Sequence, residues 1–211
     1  MKNNSKKKNN FKKSIIKNGL FGLAILLLFL TGAHTEVFAF VQRGILKTGI
    51  MNPKVEQAME TSGIEQANSG TPTKTKADFN LQLMNENGER VNMKDFRGKA
   101  IFINVWATWC PPCIAEMPGI NELYKDIKDE NVEFIMLSVD QDFDKAIKFN
   151  QDKEFEFPIY RLAGAMPAMY ASNAIPTTYV IDANGDLVLT HKGMGDFDTT
   201  QFREFMEEIQ K

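Results

Sequence analysis

The feature of this sequence that most restricts its fold is an apolar run leading directly into two closely spaced cysteines. Residues 100–106 read Ala-Ile-Phe-Ile-Asn-Val-Trp, which is typical of a strand buried on both faces. Cys110 and Cys113 follow, and the chain has 2 cysteines in all. After them, apolar residues recur at intervals of about three or four, which predicts a helix: Ile114, Met117, Ile120, Leu123, Tyr124 and Ile127. The cysteines therefore lie between a buried strand and a helix.

The rest of the chain continues this alternation of strands and helices. An Asn-Gly pair at residues 87–88 indicates a hairpin within 78–93. Beyond the cysteines we predict a strand at 132–139, a helix from 143, a strand at 158–161, a hairpin of 178–181 with 187–191, and a final helix at 202–209. The order β-α-β-α-β-β-α predicts an α/β fold with helices on both faces of one sheet.

The amino terminus divides into four segments ahead of the predicted domain at 78–211. Residues 1–17 form a lysine-rich tail, and 18–35 are uncharged and strongly apolar. A short juxtamembrane helix is predicted within 36–60. Residues 61–77 are rich in Thr, Ser, Gly, Asn and Lys, which indicates a flexible linker.

Residues 18–35 have the composition of a segment that enters a bilayer. The lysines before them and Glu36 after them place the tail in the cytoplasm and the domain on the outer side of the cell membrane, in the periplasm. Two interpretations fit: an anchor that spans once, and a signal cleaved near Val37-Phe38-Ala39. The apolar stripe that continues past Ala39 favours the anchor.

The charge distribution argues against a nucleic-acid partner. The chain has 25 basic and 27 acidic residues, for a net charge of -2. Every charged residue before Glu36 is a lysine, so the remainder is more acidic than the whole chain. Phosphate neutralisation needs a basic face, which this composition does not favour.

The position of Cys110 at the start of a helix favours thiol chemistry. Unpaired backbone N–H groups and the helix dipole stabilise a thiolate there, so the thiol should ionise below its ordinary value of about 8.5. Cys113 lies one helical turn further on, where it can attack a mixed disulfide formed by Cys110. An inert disulfide and half of a zinc site are the alternatives. The disulfide would close a very small loop, and zinc would need ligands beyond His34 and His191.

Glu116 and Pro176 are the other candidates that the pattern offers. Glu116 lies three residues after Cys113 on the same helical face, so its carboxylate is a candidate acceptor for the Cys113 proton. A solvent-exposed helix glutamate is the alternative. Pro176 immediately precedes a predicted strand, where a cis peptide bond would form a tight turn, although the sequence alone does not fix the isomer.

Three segments of the sequence resemble the thioredoxin superfamily, and within it the extracytoplasmic, membrane-attached TlpA/ResA group. They are residues 104–118 around the two cysteines, Gly98-Lys99 ahead of the strand, and 175–182, which read Ile-Pro-Thr-Thr-Tyr-Val-Ile-Asp. The resemblance covers about residues 77–211. It implies a thioredoxin fold with a central mixed sheet and an amino-terminal β-hairpin extension.

The resemblance also implies roles for individual residues. Cys110 and Cys113 correspond to the redox-active disulfide, and Glu116 corresponds to a family active-site residue. Pro176 corresponds to a cis-proline that faces the disulfide. Asn104 replaces the buried aspartate of cytoplasmic thioredoxins, so that proton route is absent here. The residues expected to contact substrate are Trp109, Pro111, Pro112, Ile175 and Pro176.

The function expected from these observations is reduction of disulfides in extracytoplasmic proteins, with electrons supplied by a membrane donor and no cofactor. The TlpA/ResA group serves both cytochrome c maturation and general thiol repair. An oxidase, a peroxiredoxin-like peroxidase, and a copper or haem-related thiol carrier are the alternatives. The Cys110-Pro-Pro-Cys113 pair argues against the peroxidase, which uses a lone cysteine to attack peroxide.

Overall fold

A computed structural model describes residues 75–128 and 131–210, together with Asn18, Leu23, Gln42, Gly44 and Pro53. The predicted basic tail at 1–17, most of the segments 18–35 and 36–60, and residues 61–74 of the predicted linker lie outside the described residues. Within the part of the chain that is described, no helix is long and apolar enough to cross a membrane.

The strands and helices follow the order predicted from the sequence. The strands are β1 (Gln82–Asn85), β2 (Arg90–Asn92), β3 (Ala100–Trp106), β4 (Val132–Ser138), β5 (Ile159–Leu162), β6 (Thr177–Ile181) and β7 (Leu187–Lys192). Within 75–128 and 131–210, the α-helices are α1 (Pro111–Ile127), α2 (Phe143–Asp152) and α3 (Thr200–Glu208). Two 3-10 helices, Met93–Phe96 and Ala168–Tyr170, were not predicted.

The seven strands form one mixed sheet in the order β2-β1-β5-β4-β3-β6-β7. β3 pairs in parallel with β4, and β4 pairs in parallel with β5. β6 runs antiparallel to β3, with Val105 opposite Thr177. This register places Pro176, the residue before β6, at the edge of the sheet where β3 ends and the chain continues to Cys110. The mixed sheet and the two hairpins are confirmed.

The three α-helices lie on one face of the sheet. Alternate residues of β3, Ala100, Phe102 and Trp106, belong to a core cluster that also contains buried residues of α1, α2 and α3. The chain steps from β3 to β4 to β5 in one direction across the sheet. Right-handed crossovers therefore place α1 and α2 on the same face.

The other face is covered by shorter elements, which refines the expectation of helices on both sides. Ile101, Ile103 and Val105 of β3 belong to a second core cluster, which also contains Met93 and Tyr170 from the two 3-10 helices. Asn92 caps the first 3-10 helix, because its side chain accepts a hydrogen bond from the Lys94 N–H (3.0 Å). The second face therefore carries 3-10 helices in place of α-helices.

The described domain extends to residues before 78, where the sequence predicted the end of the linker. Lys76 forms a β-bridge with Asp186. The Leu187 N–H donates to the Thr75 carbonyl (2.8 Å), and the Ala77 N–H donates to the Gly185 carbonyl (2.9 Å). Residues 75–77, which the sequence analysis placed in the linker, therefore bond to the β6–β7 hairpin.

Candidate active site

Cys110 and Cys113 are joined in a disulfide at the amino terminus of α1. The Sγ–Sγ distance is 2.08 Å and the Cα atoms are 5.3 Å apart. Cys110 is the N-cap residue, and its Sγ accepts a hydrogen bond from the Cys113 N–H (3.3 Å). Pro111 and Pro112 occupy the first helical positions, where the missing N–H groups would have no partner within the helix. The Cys113 N–H at this helix end therefore faces the sulfur of Cys110.

The surroundings of the two sulfurs differ. Trp109 is 61% exposed, Cys110 is 5% exposed, and Cys113 is 0% exposed. Pro111 and Pro112 are half-buried. A partner protein approaching along the surface of Trp109 would therefore reach Cys110 before Cys113.

The loop that carries Trp109 is fixed to the end of β4 by Asp140. Its carboxylate accepts hydrogen bonds from the Thr108 N–H (3.0 Å), from the Thr108 hydroxyl (2.7 Å) and from the Ser138 hydroxyl (2.9 Å). Asp140 was not predicted as a site residue. Its position directly after the strand 132–139, beside the end of β3, is the signal that could have indicated it.

The Ile175–Pro176 peptide bond is cis, as the resemblance implied. Pro176 is buried, and its carbonyl accepts a hydrogen bond from the Gly193 N–H (2.9 Å). Ile175 is half-buried and packs against the core cluster that contains Cys110 and Cys113. The segment before β6 therefore lies on the same apolar cluster as the disulfide.

Glu116 lies in the interior of the protein and is 2% exposed. Its Oε1 accepts a hydrogen bond from Asn104 Nδ2 (2.8 Å), and its Oε2 accepts one from the Gly195 N–H (2.9 Å). Asn104 Nδ2 also donates to Thr178 Oγ1 (2.9 Å). The interpretation of Glu116 as an ordinary exposed glutamate is wrong, because the carboxyl group is buried and bonds to Asn104 of β3 and to Gly195 in the loop after β7.

Burial changes the protonation of Glu116. Loss of solvent raises its pKa from 4.5 to about 8, and the hydrogen bonds from Gly195 and Asn104 oppose this rise only in part. No charged side chain is among the causes of this shift. At neutral pH the carboxyl group is mostly protonated while the disulfide is intact. Ordinary cysteine thiols ionise near a similar value, about 8.5.

Glu116 should make the oxidised protein less stable as the pH rises. The unfolded chain ionises this group near pH 4.5, whereas the folded chain retains the proton up to about pH 8. The free energy of unfolding should therefore fall across this window, by an amount on the order of 4 kcal/mol. Urea unfolding of the wild type and of Glu116→Gln from pH 4.5 to 9 measures it. The wild type should lose stability relative to the variant as the pH rises, and two parallel curves would contradict the burial argument.

Gly195 brings a backbone N–H against Glu116 because it has no side chain. A Cβ at this position would lie 2.8 Å from Phe197 Cζ and 3.2 Å from His191 Cδ2. Phe197 is itself buried in the core at 1% exposed, so the ring has little room to move. Gly195 was not predicted as a site residue, although the Gly193-Met194-Gly195 repeat after a strand was a visible signal.

Replacing Gly195 with alanine should destabilise the fold by about 1–3 kcal/mol, since overpacking must shift the backbone or Phe197. The midpoint of urea unfolding measures the loss. Gly119→Ala in α1 is the matched control, because the added Cβ would meet only ordinary contacts of 3.4 Å and longer. Alanine should be neutral or stabilising at Gly119, by up to about 1 kcal/mol. Equal midpoints for the two variants would contradict the close packing at Gly195.

His191, weighed above as a possible zinc ligand, lies in a structural position. Its ring packs edge-on against Phe197, and its Nε2 lies 3.3 Å from the Met194 carbonyl oxygen. Among the described residues, no group of three or more His, Cys, Asp or Glu side chains could hold a metal ion.

Comparison with known proteins assigns the family. Residues 73–190 match the AhpC/TSA family. The chain belongs to the AhpC/TSA family. The chain is similar to the thiol-disulfide oxidoreductase ResA of Bacillus thuringiensis subsp. konkukian. The two are 35% identical over 132 residues, which cover 62% of this chain and 75% of the relative.

Solved structures give the same fold for this AhpC/TSA family member. A thiol:disulfide interchange protein of the thioredoxin family from Chlorobium tepidum aligns with a TM-score of 0.55 at 23% identity, covering 69% of this chain and 100% of that one. StoA from Bacillus subtilis aligns with a TM-score of 0.50 at 22% identity, covering 59% and 94%. The fold is therefore a thioredoxin fold, and the ResA relatives identify the enzyme class as thiol-disulfide oxidoreductase.

Proposed function

We propose that this chain reduces disulfides of extracytoplasmic proteins by dithiol exchange at Cys110 and Cys113. The observation that carries the proposal is the Cys110–Cys113 disulfide at the start of α1, with Cys110 on the side of the exposed Trp109 and Cys113 enclosed. Trp109, Pro111, Pro112, Ile175 and Pro176 would contact the substrate beside the disulfide.

The exchange proceeds in two steps that conserve electrons. The Cys110 thiolate attacks one sulfur of the substrate disulfide, forms a mixed disulfide and releases the other substrate sulfur as a thiolate. Cys113 then loses its proton and attacks Cys110 Sγ. The Cys110–Cys113 disulfide forms and the second substrate sulfur leaves. The substrate gains two electrons, and the chain is left in the oxidised form that the structure describes.

Glu116 is the proposed acceptor of the Cys113 proton. It lies one turn after Cys113 on α1, and its pKa of about 8 is close to that of an ordinary thiol, so transfer between them is nearly balanced. After the transfer Glu116 is protonated, which is its main form at neutral pH in the oxidised protein. When an electron donor reduces the disulfide, Glu116 can return the proton to the Cys113 sulfur.

The direction of electron flow is part of this proposal and has a direct test. The compartment outside the cytoplasm is oxidising, so a reductase there needs a supply of electrons, which we assign to a membrane donor. Equilibration with glutathione or dithiothreitol should give a reduction potential near or below about -250 mV. A value near about -120 mV would make the chain an oxidase and would contradict the proposal.

The proposed location, on the outer side of the cell membrane with residues 18–35 as a single-pass anchor, has its own test. In intact cells treated with a reductant, a membrane-impermeant maleimide should label Cys110. The labelled chain should sediment with membranes. Labelling only after cell lysis would contradict the outer location, and a labelled chain released in soluble form would indicate cleavage after the segment 18–35.

Substrate trapping addresses the partner. Cys113→Ala should retain mixed disulfides with proteins of the same compartment, and apocytochrome c among them would assign the chain to cytochrome c maturation. Peroxide consumption that does not need Cys113 would favour the peroxidase alternative. Stoichiometric Cu(I) bound by the reduced domain and lost in Cys113→Ala would favour the carrier.

A further inference from the structure

The side chain of Asn104 is bonded at one end only. Its Nδ2 donates to Glu116 Oε1 and to Thr178 Oγ1, whereas its Oδ1 is buried and has no hydrogen-bond partner among the described residues. Buried amides ordinarily use both ends, which locks their orientation. The present orientation of the Asn104 amide is therefore held by Nδ2 alone, through its bonds to Glu116 and Thr178.

The two oxygens of Glu116 have different neighbours, which determines where a proton can reside. Oε2 accepts from the Gly195 N–H, a backbone donor that cannot become an acceptor. Oε1 faces the Asn104 amide. On Oε1 the proton of the acid faces the Asn104 amide. Its O–H there needs an acceptor, and Nδ2 is a donor only. The present orientation of Asn104 therefore suits the carboxylate and offers the acid no acceptor.

We propose that the Asn104 carboxamide is a positioning group that flips when Glu116 gains or loses a proton, so that Oδ1 and Nδ2 exchange places. With the carboxylate, Nδ2 donates to Glu116 Oε1, and with the acid, Oδ1 takes the place of Nδ2 and accepts the carboxyl proton. The Thr178 hydroxyl accepts from Nδ2 in the first orientation and donates to Oδ1 in the second, since a hydroxyl can do both. Each orientation makes two hydrogen bonds to these neighbours and leaves the opposite end of the amide without a partner.

Other titratable groups near this network do not provide the same switch. Cys113 on α1 is held in the disulfide, His191 lies on β7 opposite Thr178, and Asp196 follows Gly195 in the loop. None of them contributes to the shifted pKa of Glu116, whose causes are burial and the bonds from Gly195 and Asn104. The state of Asn104 should therefore follow Glu116 alone.

The inference rests on the proposed role of Glu116 as a proton acceptor and adds a partner for both of its protonation states. In the flipped orientation, Asn104 Oδ1 accepts the hydrogen bond from the protonated Glu116, so that neither a bound water nor a second carboxylate is needed for this. An aspartate at position 104 could not do this, because two carboxyl groups in contact would share a proton and titrate as a pair.

Nuclear magnetic resonance of the oxidised full chain, without substrate, tests the flip of the Asn104 amide. The Asn104 side-chain NH2 signals should shift with pH at the same midpoint as the Glu116 carboxyl carbon, near pH 8. In Glu116→Gln the Asn104 signals should not respond to pH. The glutamine side chain does not titrate, and its NH2 group donates a hydrogen bond at every pH, as the carboxylic acid does below its pKa.

Asn150 is the matched control. It is also buried with an unpartnered Oδ1, but its Nδ2 lies against the carbonyl oxygens of Phe155 and Phe157, which do not titrate. Its signals should not change over the same range. Asn104 signals that stay constant while Glu116 titrates would overturn the proposal, as would a Glu116 carboxyl that does not titrate between pH 5 and 10. Either result leaves exchange at Cys110 and Cys113 untouched, because no thiol takes part in the measurement.

Discussion

Serine in place of Cys110 should lower the rate of disulfide reduction on the order of a thousandfold or more. A serine hydroxyl does not ionise near neutral pH, and without the attacking sulfur no mixed disulfide can form. The fold should survive, because serine adds no volume at the N-cap and is a favoured N-cap residue. The rate of reduction of a peptide disulfide by the pre-reduced variant measures the effect, and circular dichroism checks the fold.

Cys113→Ala is the complementary change for this first prediction. Cys110 should still attack at nearly the wild-type rate, but the reaction should stop at the mixed disulfide, with one substrate sulfur released per chain. Mass spectrometry of the product should find the substrate attached to Cys110. If Cys110→Ser also formed an adduct, or if both variants turned over like the wild type, the assignment of roles would be contradicted.

Glu116→Gln should slow the second step of the exchange by about a hundredfold and alter its pH dependence. A positioned base contributes about 10²–10⁴ to a proton transfer, and glutamine cannot accept the Cys113 proton. In the wild type the rate of the second step should rise with pH, with a midpoint near the Glu116 pKa of about 8. In the variant, the pH dependence of this rate should instead follow the ionisation of the Cys113 thiol itself.

Stopped-flow mixing of the reduced chain with excess 5,5'-dithiobis(2-nitrobenzoate) separates the two steps. Attack by Cys110 gives a phase proportional to reagent concentration, and resolution by Cys113 gives a first-order phase. Only the first-order phase should respond to Glu116→Gln. Glu122→Gln is the control, because Glu122 lies on the same helix with a side chain that is 56% exposed and pairs with Lys125. An unchanged first-order phase in Glu116→Gln would remove the carboxyl from the mechanism.

Most of the fold could be predicted because its determinants are local. The apolar run of β3, the helical spacing of α1 and the Asn-Gly turn between β1 and β2 each lie within a short stretch of sequence. The 3-10 helix Met93–Phe96 was not predicted, since its apolar residues are too few to show a period. The bonds of residues 75–77 could not be predicted, because their partner is a hairpin more than a hundred residues away.

The surroundings of Glu116 could not be predicted from the sequence. The spacing after Cys113 indicated its helical face but not its burial. The partner Gly195 lies 79 residues away along the chain, and Thr178 lies 74 residues from Asn104. Contacts of this kind depend on how the strands are arranged in the sheet. Asp140 was missed for the same reason, since its partner Thr108 is 32 residues earlier.

The central claim is that Cys110 is the attacking sulfur and is activated by the start of α1. Alkylation of the fully reduced chain with limiting iodoacetamide, followed by peptide mapping across pH, tests it most directly. The account predicts that Cys110 is modified well before Cys113, with a rate that reaches half its maximum clearly below pH 8.5, the ordinary value for a cysteine thiol. Modification of Cys113 first, or a half-maximum for Cys110 at or above about pH 8.5, would contradict it.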